Sequence, residues 1–225
     1  MVEKLAIEDG KPVRRKKFPE YHAIVDQREI KAVTKVLKSG GPWRRGPFVE
    51  QYERDLEKYF GVRHALAVSN GTVALHVAMA ALGLRPGDEV ITTPYTFVAS
   101  ASAALYQNAI PIFADIDPSS YNLDPAQAEK AITDHTKGIV VVHLAGHPAD
   151  MDPFLEIAEK HDLWIVEDTA QASGALYKGG FAGTVGDVGT FSTVDGKIMS
   201  TGEGGFCLTN NDEFAERMGS IHKEA

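Results

Sequence analysis

The sequence predicts an α/β fold built on a mostly parallel sheet, and three observations lead there. From Gly61 onward, short apolar runs alternate with helical segments, separated by Gly, Pro, Asn or Asp. Runs such as Gly138-Ile139-Val140-Val141-Val142-His143 are continuously apolar, as expected of strands covered on both faces. The chain has 225 residues, 44% hydrophobic and 24% charged, enough for one sizeable core and part of a second. That balance excludes a disordered or fibrous chain, and the 21 Gly and 11 Pro follow no period.

In chain order, the first helix is predicted over 26–38, where Ile30, Val33 and Leu37 fall at helical spacing and Ser39-Gly40-Gly41-Pro42 is a stop. A second runs from Phe48 to Phe60 and ends at Gly61. Strands follow at Ala65 to Val68, Glu89 to Thr93, Ile110 to Asp115, Gly138 to Leu144 and Leu163 to Glu167, with shorter ones near Val188 to Ser192 and Gly205 to Thr209. The helices between them are predicted at Thr72 to Leu82, Phe97 to Gln107, Pro125 to Ile132 and Met151 to His161. Asn210-Asn211-Asp212 opens a last helix with no clear terminator before Ala225, which predicts a truncated chain. Cys207, the one cysteine, is expected to pack in a buried strand.

No apolar run approaches the roughly 18 residues of a membrane span, and the charged start holds no signal region, so a cytoplasmic protein is expected. Residues 1–50 carry 12 Lys and Arg against 7 Asp and Glu, whereas the rest carry 11 against 24. An acidic body argues against nucleic acid as the main partner. The run Arg14-Arg15-Lys16-Lys17 reads as part of a solvated N-terminal extension over residues 1–25.

Ligands of such sheets gather at the carboxyl ends of strands. After Val68, Gly71-Thr72 opens a helix: its free amides and hydroxyl suit a phosphate, or Asn70-Gly71-Thr72 is a plain cap. After Glu167 comes Asp168, able to hold a cationic ring nitrogen, a metal or a ribose hydroxyl, or to cap a turn. Lys197 lies in a loop of small residues between two apolar runs, either partly desolvated or at the surface. Other patterns fail. Ile198 follows Gly196-Lys197 where a P-loop needs Ser or Thr, no GxGxxG opens a helix after a strand, and Gly146 and Pro148 keep His143 and His147 off a shared helical face, so no metal site is expected. These histidines read as turn and packing residues.

Several spaced motifs in order carry a resemblance. They are Ser69-Asn70-Gly71-Thr72-Val73-Ala74-Leu75-His76, Pro86-Gly87-Asp88-Glu89-Val90-Ile91, Tyr95-Thr96-Phe97-Val98-Ala99-Ser100, Glu167-Asp168-Thr169-Ala170-Gln171, Gly186-Asp187-Val188-Gly189, and Lys197 followed by Gly202-Glu203-Gly204-Gly205. From about Gly10 to its last residues, the chain resembles the DegT/StrS sugar aminotransferases, pyridoxal phosphate enzymes of the aspartate-aminotransferase fold. Asp195-Gly196-Lys197 and Gly10-Lys11-Pro12-Val13 are similar to the branch of aminohydroxybenzoate synthase and scyllo-inosose aminotransferases. The resemblance implies a three-layer large domain over 26–225, lacking the small C-terminal domain that completes the family's site.

It also implies roles for the residues above. Lys197 matches the residue that forms the Schiff base with the cofactor aldehyde and then acts as general base. Asp168 matches the carboxylate on the pyridine nitrogen, Gln171 the group on the ring hydroxyl, and Phe97 the ring-stacking residue. Gly71, Thr72 and Ser192 would hold the phosphate. The implied activity moves an amino group from glutamate or glutamine to a keto-sugar, often nucleotide-linked, or a keto-cyclitol, in a homodimer. A dehydratase of the same family would carry histidine in place of Lys197; a non-catalytic cofactor-binding homologue or an inactive fragment is the other alternative. Thr193 and Val194 depart from relatives, and Trp43-Arg44-Arg45-Gly46 reads as a loop near substrate, a dimer contact or plain surface.

Overall fold

A computed structural model describes residues 4–17 and 24–224. Of the predicted N-terminal extension, 1–3 and 18–23 lie outside the described residues, as does residue 225 of the predicted large domain. Within the extension, Ala6–Glu8 forms a 3-10 turn and Arg14, Arg15, Lys16 and Lys17 are exposed.

The first helix, α1 (Gln27–Lys38), starts as the sequence dictates. The Asp26 carboxylate accepts the Arg28 N–H at 2.7 Å and the Glu29 carboxylate accepts the Asp26 N–H at 2.7 Å, a reciprocal cap. Its apolar residues Ile30, Val33 and Leu37 are exposed. Helix α2 (Pro47–Phe60) has proline in its first turn and ends on Gly61, whose φ of 69° is left-handed. It buries Leu56 and Phe60 against Phe191, Phe206 and Leu208. Its outer face covers the edge of strand β1 (His64–Val68): Glu53 accepts the Ala67 N–H at 2.9 Å and Glu57 the Ala65 N–H at 3.3 Å. Those carboxylates satisfy amides that an edge strand otherwise offers to another chain.

Beyond β1 the alternation unfolds as α3 (Gly71–Ala81), β2 (Glu89–Thr92), α4 (Ala99–Leu105), β3 (Ile110–Phe113), α5 (Pro125–Lys130), β4 (Thr136–Val142), α6 (Met151–His161) and β5 (Trp164–Asp168). The hairpin β6 (Leu176–Tyr177) and β7 (Gly180–Phe181) follows, then β8 (Val188–Ser192), β9 (Gly205–Thr209) and α7 (Asp212–Glu224). Seven strands form one sheet in the order β1-β9-β8-β5-β4-β2-β3. In this sheet β9 runs opposite to the other six strands, pairing antiparallel with β1 and β8, and the remaining pairings are parallel. The sheet is thus the mostly parallel one the sequence predicts.

Side chains alternate across each strand, and both faces are packed. On β4 and β5, Val140 and Val166 join Leu75, Met79 and Met218 on one face, while Ile139, Val141 and Ile165 join Leu123 and Phe154 on the other. This double cover is why the β4 run reads as continuously apolar. Cys207 is buried in β9 with its Sγ 3.4 Å from the Ala74 carbonyl oxygen, and burial pushes its thiol up to about 12, so it is a packing residue. Among the described residues no helix is long and apolar enough to cross a membrane.

Boundaries shift by one or two residues from the sequence reading. Helix α3 begins one residue early, at Gly71, because Asn70 caps it; α4 is shorter at both ends than predicted; and Asp168 closes β5 instead of following it. The β6–β7 hairpin escaped the reading because its strands are two residues long. Its signal is the turn Lys178-Gly179, where φ of 49° and 89° gives the two left-handed residues of a tight hairpin.

Candidate active site

The antiparallel β9 starts where two strands end. Gly205 pairs with Val68 at the end of β1 and with Ser192 at the end of β8, so three backbone segments meet at one point. A side chain would not fit there: a Cβ on Gly205 would stand 2.6 Å from both the Asn70 carbonyl carbon and the Phe191 carbonyl oxygen. The same holds at the start of α3, where a Cβ on Gly71 would stand 2.8 Å from the Ser192 Cβ. The two glycines let the first turn of α3 rest on the end of β8.

Asn70 fixes that turn, its Oδ1 accepting the Val73 N–H at 2.8 Å. Among the described residues the amides of Gly71 and Thr72 and the Thr72 hydroxyl have no protein partner. The Ser192 Oγ accepts the Val194 N–H at 3.4 Å, which leaves its own hydrogen to donate. Two amides and two hydroxyls at the positive end of an eleven-residue helix form a donor set that suits a phosphate.

Asp168 lies at the carboxyl end of β5, only 6% exposed. Its Oδ2 accepts the Ser100 hydroxyl at 2.6 Å and its Oδ1 the Ala170 N–H at 3.2 Å. Gln171 follows in the turn after β5, with its Oε1 accepting the Ala145 N–H at 2.9 Å. That contact assigns the amide and turns its NH2 outward as a donor. Phe97, 66% exposed, stands at the opening of the first turn of α4.

Lys197 sits half-buried in the loop between β8 and β9. Its N–H donates to the Val194 carbonyl at 3.1 Å, closing a turn with Gly196 at φ 89°. The loop is stitched: the Thr193 N–H meets the Gly204 carbonyl at 2.9 Å, the Asp195 N–H meets the Gly202 carbonyl at 2.9 Å, and the Thr193 and Thr201 hydroxyls lie 2.7 Å apart. Thr193 is therefore one of the stitches.

All seven sequence-derived candidates, Gly71, Thr72, Phe97, Asp168, Gln171, Ser192 and Lys197, line one cavity of about 240 Å³. Asn70, read from the sequence only as part of a cap, lines it too, as do Thr96 and Glu203, which have no role in the sequence reading. The Trp43-Arg44-Arg45-Gly46 loop is not in its wall; Arg45 donates to the His222 carbonyl at 2.7 Å, tying the loop to α7. Among the described residues no cluster of His, Cys, Asp and Glu could hold a metal ion.

The residue before Asp168 faces the other way and builds the support. Glu167 is fully buried and accepts four hydrogen bonds: Gly183 N–H at 2.8 Å and His143 Nε2 at 2.8 Å on one oxygen, and the Val185 and Gly186 amides at 2.7 Å on the other. The Ala149 N–H donates to His143 Nδ1 at 3.0 Å, so Nε2 is the nitrogen that carries a hydrogen to Glu167. Burial pushes the Glu167 carboxyl up, but the His143 hydrogen bond and the Gly186 and Gly183 amides outweigh it and hold the group below its ordinary value. His143 is thus a buried hydrogen-bond donor at the end of β4, a more specific part than the packing role its sequence context implies.

The chain's likeness to known proteins agrees with this geometry. Residues 23–225 match the model of the DegT/DnrJ/EryC1/StrS aminotransferase family. The chain is 48% identical over 173 residues to the GDP-perosamine synthase of Caulobacter vibrioides, covering 77% of this chain and 47% of that protein. It is 43% identical over 225 residues to a putative L-glutamine:3-amino-2,3-dideoxy-scyllo-inosose aminotransferase of Streptoalloteichus tenebrarius, covering 98% and 54%. Among solved structures, 3-amino-5-hydroxybenzoic acid synthase superposes with a TM-score of 0.85 at 38% identity, over 91% of this chain and 54% of the other. The ntda protein of Bacillus subtilis, solved with bound cofactor pmp, gives 0.78 at 35% identity, over 86% and 45%. The chain spans about half the length of the curated relatives it matches. The family depends on pyridoxal phosphate. A parallel sheet with this cavity at its strand ends, and a family match over nearly the whole length, place the chain in the DegT/DnrJ/EryC1/StrS aminotransferase family.

Proposed function

We propose that this chain is the cofactor-binding large domain, residues 26–225, of a pyridoxal phosphate aminotransferase acting on a keto-sugar or keto-cyclitol, with glutamate or glutamine as amino donor. The observation that carries this is one cavity holding a helix-start phosphate cradle, a buried carboxylate and a lysine. The donor set fits the cofactor: the cradle offers only donors to the phosphate, and Asp168 offers an acceptor to a protonated ring nitrogen.

When bound, the cofactor supplies an electron sink that stabilises negative charge at the carbon bearing the amino group. Gly71, Thr72 and Ser192 hold its phosphate through backbone and hydroxyl donors. Asp168 would accept the hydrogen bond of the ring nitrogen. The Gln171 NH2, turned outward by the Ala145 contact, donates to the ring hydroxyl oxygen, and Phe97 covers one ring face. Lys197 is the residue that would hold the cofactor aldehyde, and its Nζ would carry the proton to and from the carbon that bears the amino group. That Lys197 stands on a stitched loop bordering the cavity supports this role.

The acceptor class rests on the names of the relatives, a GDP-perosamine synthase and an inosose aminotransferase. We read the protein as a cytoplasmic homodimer. Exposed Phe97, which lines the cavity, with exposed Tyr95 and Val98 beside it before α4, supports a covering partner there.

The test is absorbance. Purified chain mixed with pyridoxal phosphate is expected to develop a visible band, which borohydride bleaches while fixing the cofactor on Lys197, and Lys197→Ala is expected to lose both the band and the fixed cofactor. A band unchanged in Lys197→Ala refutes the assignment. A screen of keto-sugars and keto-cyclitols against the amine-loaded protein then identifies the acceptor.

A further inference from the structure

We propose that Ser100, with Thr96 behind it, is a positioning residue for Asp168. Two hydroxyls in series pin the carboxylate so that it presents a fixed lone pair to the cavity. This rests on the reading that Asp168 receives the ring nitrogen.

Ser100 lies in the first turn of α4, 0% exposed, with its Oγ 2.6 Å from Asp168 Oδ2 across 68 residues of chain. Thr96 Oγ1 lies 3.0 Å from Ser100 Oγ. A serine hydroxyl has one hydrogen. With Asp168 ionised that hydrogen goes to Oδ2, so Ser100 can only accept from Thr96. The series then has one direction, from Thr96 to Ser100 to Asp168. An O–H···O⁻ bond of this length is of the strong, charge-assisted kind.

The second oxygen of Asp168 takes the Ala170 N–H at 3.2 Å, so the carboxylate is held from both sides and cannot turn about its terminal torsion. Ser100 itself is absent from the cavity wall, whereas Thr96, Phe97, Ala99 and Asp168 line it. Its influence therefore passes through Asp168. The Ser100 N–H also donates to the Phe97 carbonyl at 3.2 Å. One turn thereby sets both the ring-covering side chain and the anchor of the acid that faces the ring edge.

A double-mutant cycle tests this, with the pyridoxal phosphate dissociation constant read by spectroscopic titration of the cofactor-free full chain. Ser100→Ala is expected to weaken binding roughly tenfold, the scale of one hydrogen bond to a charged group, and Thr96→Val roughly threefold. Ser100→Thr, which keeps the hydroxyl, is expected to restore most of the affinity. In an Asp168→Asn background the losses from Ser100→Ala and Thr96→Val are expected to disappear. Losses that persist undiminished in that background, or a Ser100→Ala protein within twofold of wild type, overturn the proposal. Melting of each cofactor-free protein reports folding; where Ser100→Ala does not fold, the Thr96→Val cycle decides. If Asp168→Asn alone binds cofactor like wild type, the underlying reading of Asp168 falls and the proposal with it. If Asp168→Asn is weak and Ser100→Ala is not, only the proposal falls.

Discussion

Glu167→Gln removes one oxygen from the most heavily bonded carboxylate among the described residues. In the wild type both oxygens accept two hydrogen bonds each, from Gly183 and His143 on one side and from Val185 and Gly186 on the other. An amide offers one acceptor and two donors in the same space, so whichever way it turns, two N–H groups face an NH2. His143 cannot rescue the first arrangement by shifting its hydrogen, because the Ala149 N–H already occupies Nδ1. Hydrogen bonds to charged groups contribute about 1.5–3 kcal/mol each, so losing two costs about 3–6 kcal/mol. Relief of the buried charge offsets part of this, leaving about 3 kcal/mol against the roughly 5–15 kcal/mol of a whole domain. For a chain of this size that is a melting-point fall of roughly 6–12 °C. The assay is thermal and urea unfolding of cofactor-free protein. The sign with pH follows from the lowered carboxyl. Its contribution is complete above the ordinary value of 4.5 and is lost as pH falls through the lower folded-state value, so the gap between wild type and variant narrows in acid. A Glu167→Gln protein that melts within about 1 °C of wild type at pH 7 refutes the four-bond account.

The cradle gives a steric prediction. Gly71→Ala places a Cβ 2.8 Å from the Ser192 Cβ and 3.3 Å from its Cα, so α3 and β8 must separate. It is expected to cost about 1–3 kcal/mol of stability and at least tenfold in pyridoxal phosphate affinity, checked by unfolding and by titration; a variant that binds like wild type argues against a phosphate at this helix start. The exposed carboxyl of Asp117 is held down at about 2, chiefly by the Ser119 hydroxyl and then by the Ser120 amide. Its stabilisation is present above the ordinary 3.8 and is lost as pH falls toward about 2. Asp117→Asn is therefore expected to destabilise at neutral pH and to match wild type near the acid end, measured by unfolding across pH; a difference that does not change with pH contradicts this.

What the sequence shows plainly is what is encoded locally. A Gly-Thr pair after an apolar run marks the start of α3, and a lysine between two strand-like runs marks the β8–β9 loop, because caps, turns and periodicity act within a few residues. What it hides is encoded between strands. The partners of Glu167 and His143 are 24 residues apart, and those of Ser100 and Asp168 are 68 apart. The first pairing exists only once the sheet order has put β4 beside β5, and the second only once the first turn of α4 meets the end of β5.

The dipeptide Glu167-Asp168 shows the limit most clearly. Consecutive residues on a strand point to opposite faces, so one carboxylate must face the cavity and its neighbour must not. Nothing in the pair itself says which. The decision comes from β8 on one side and β4 on the other, through the pairings of Val142, Asp168 and Thr190. These direct Asp168 toward the start of α4, where Ser100 meets it, and send Glu167 into the 183–186 loop, where backbone amides satisfy it. A carboxylate surrounded by four donors is fixed in place and has no lone pair to lend. Its neighbour, with one hydroxyl and one longer amide contact, keeps an acceptor free for a ligand. The chemical difference between the two acids is therefore a difference in saturation, and it follows from strand register.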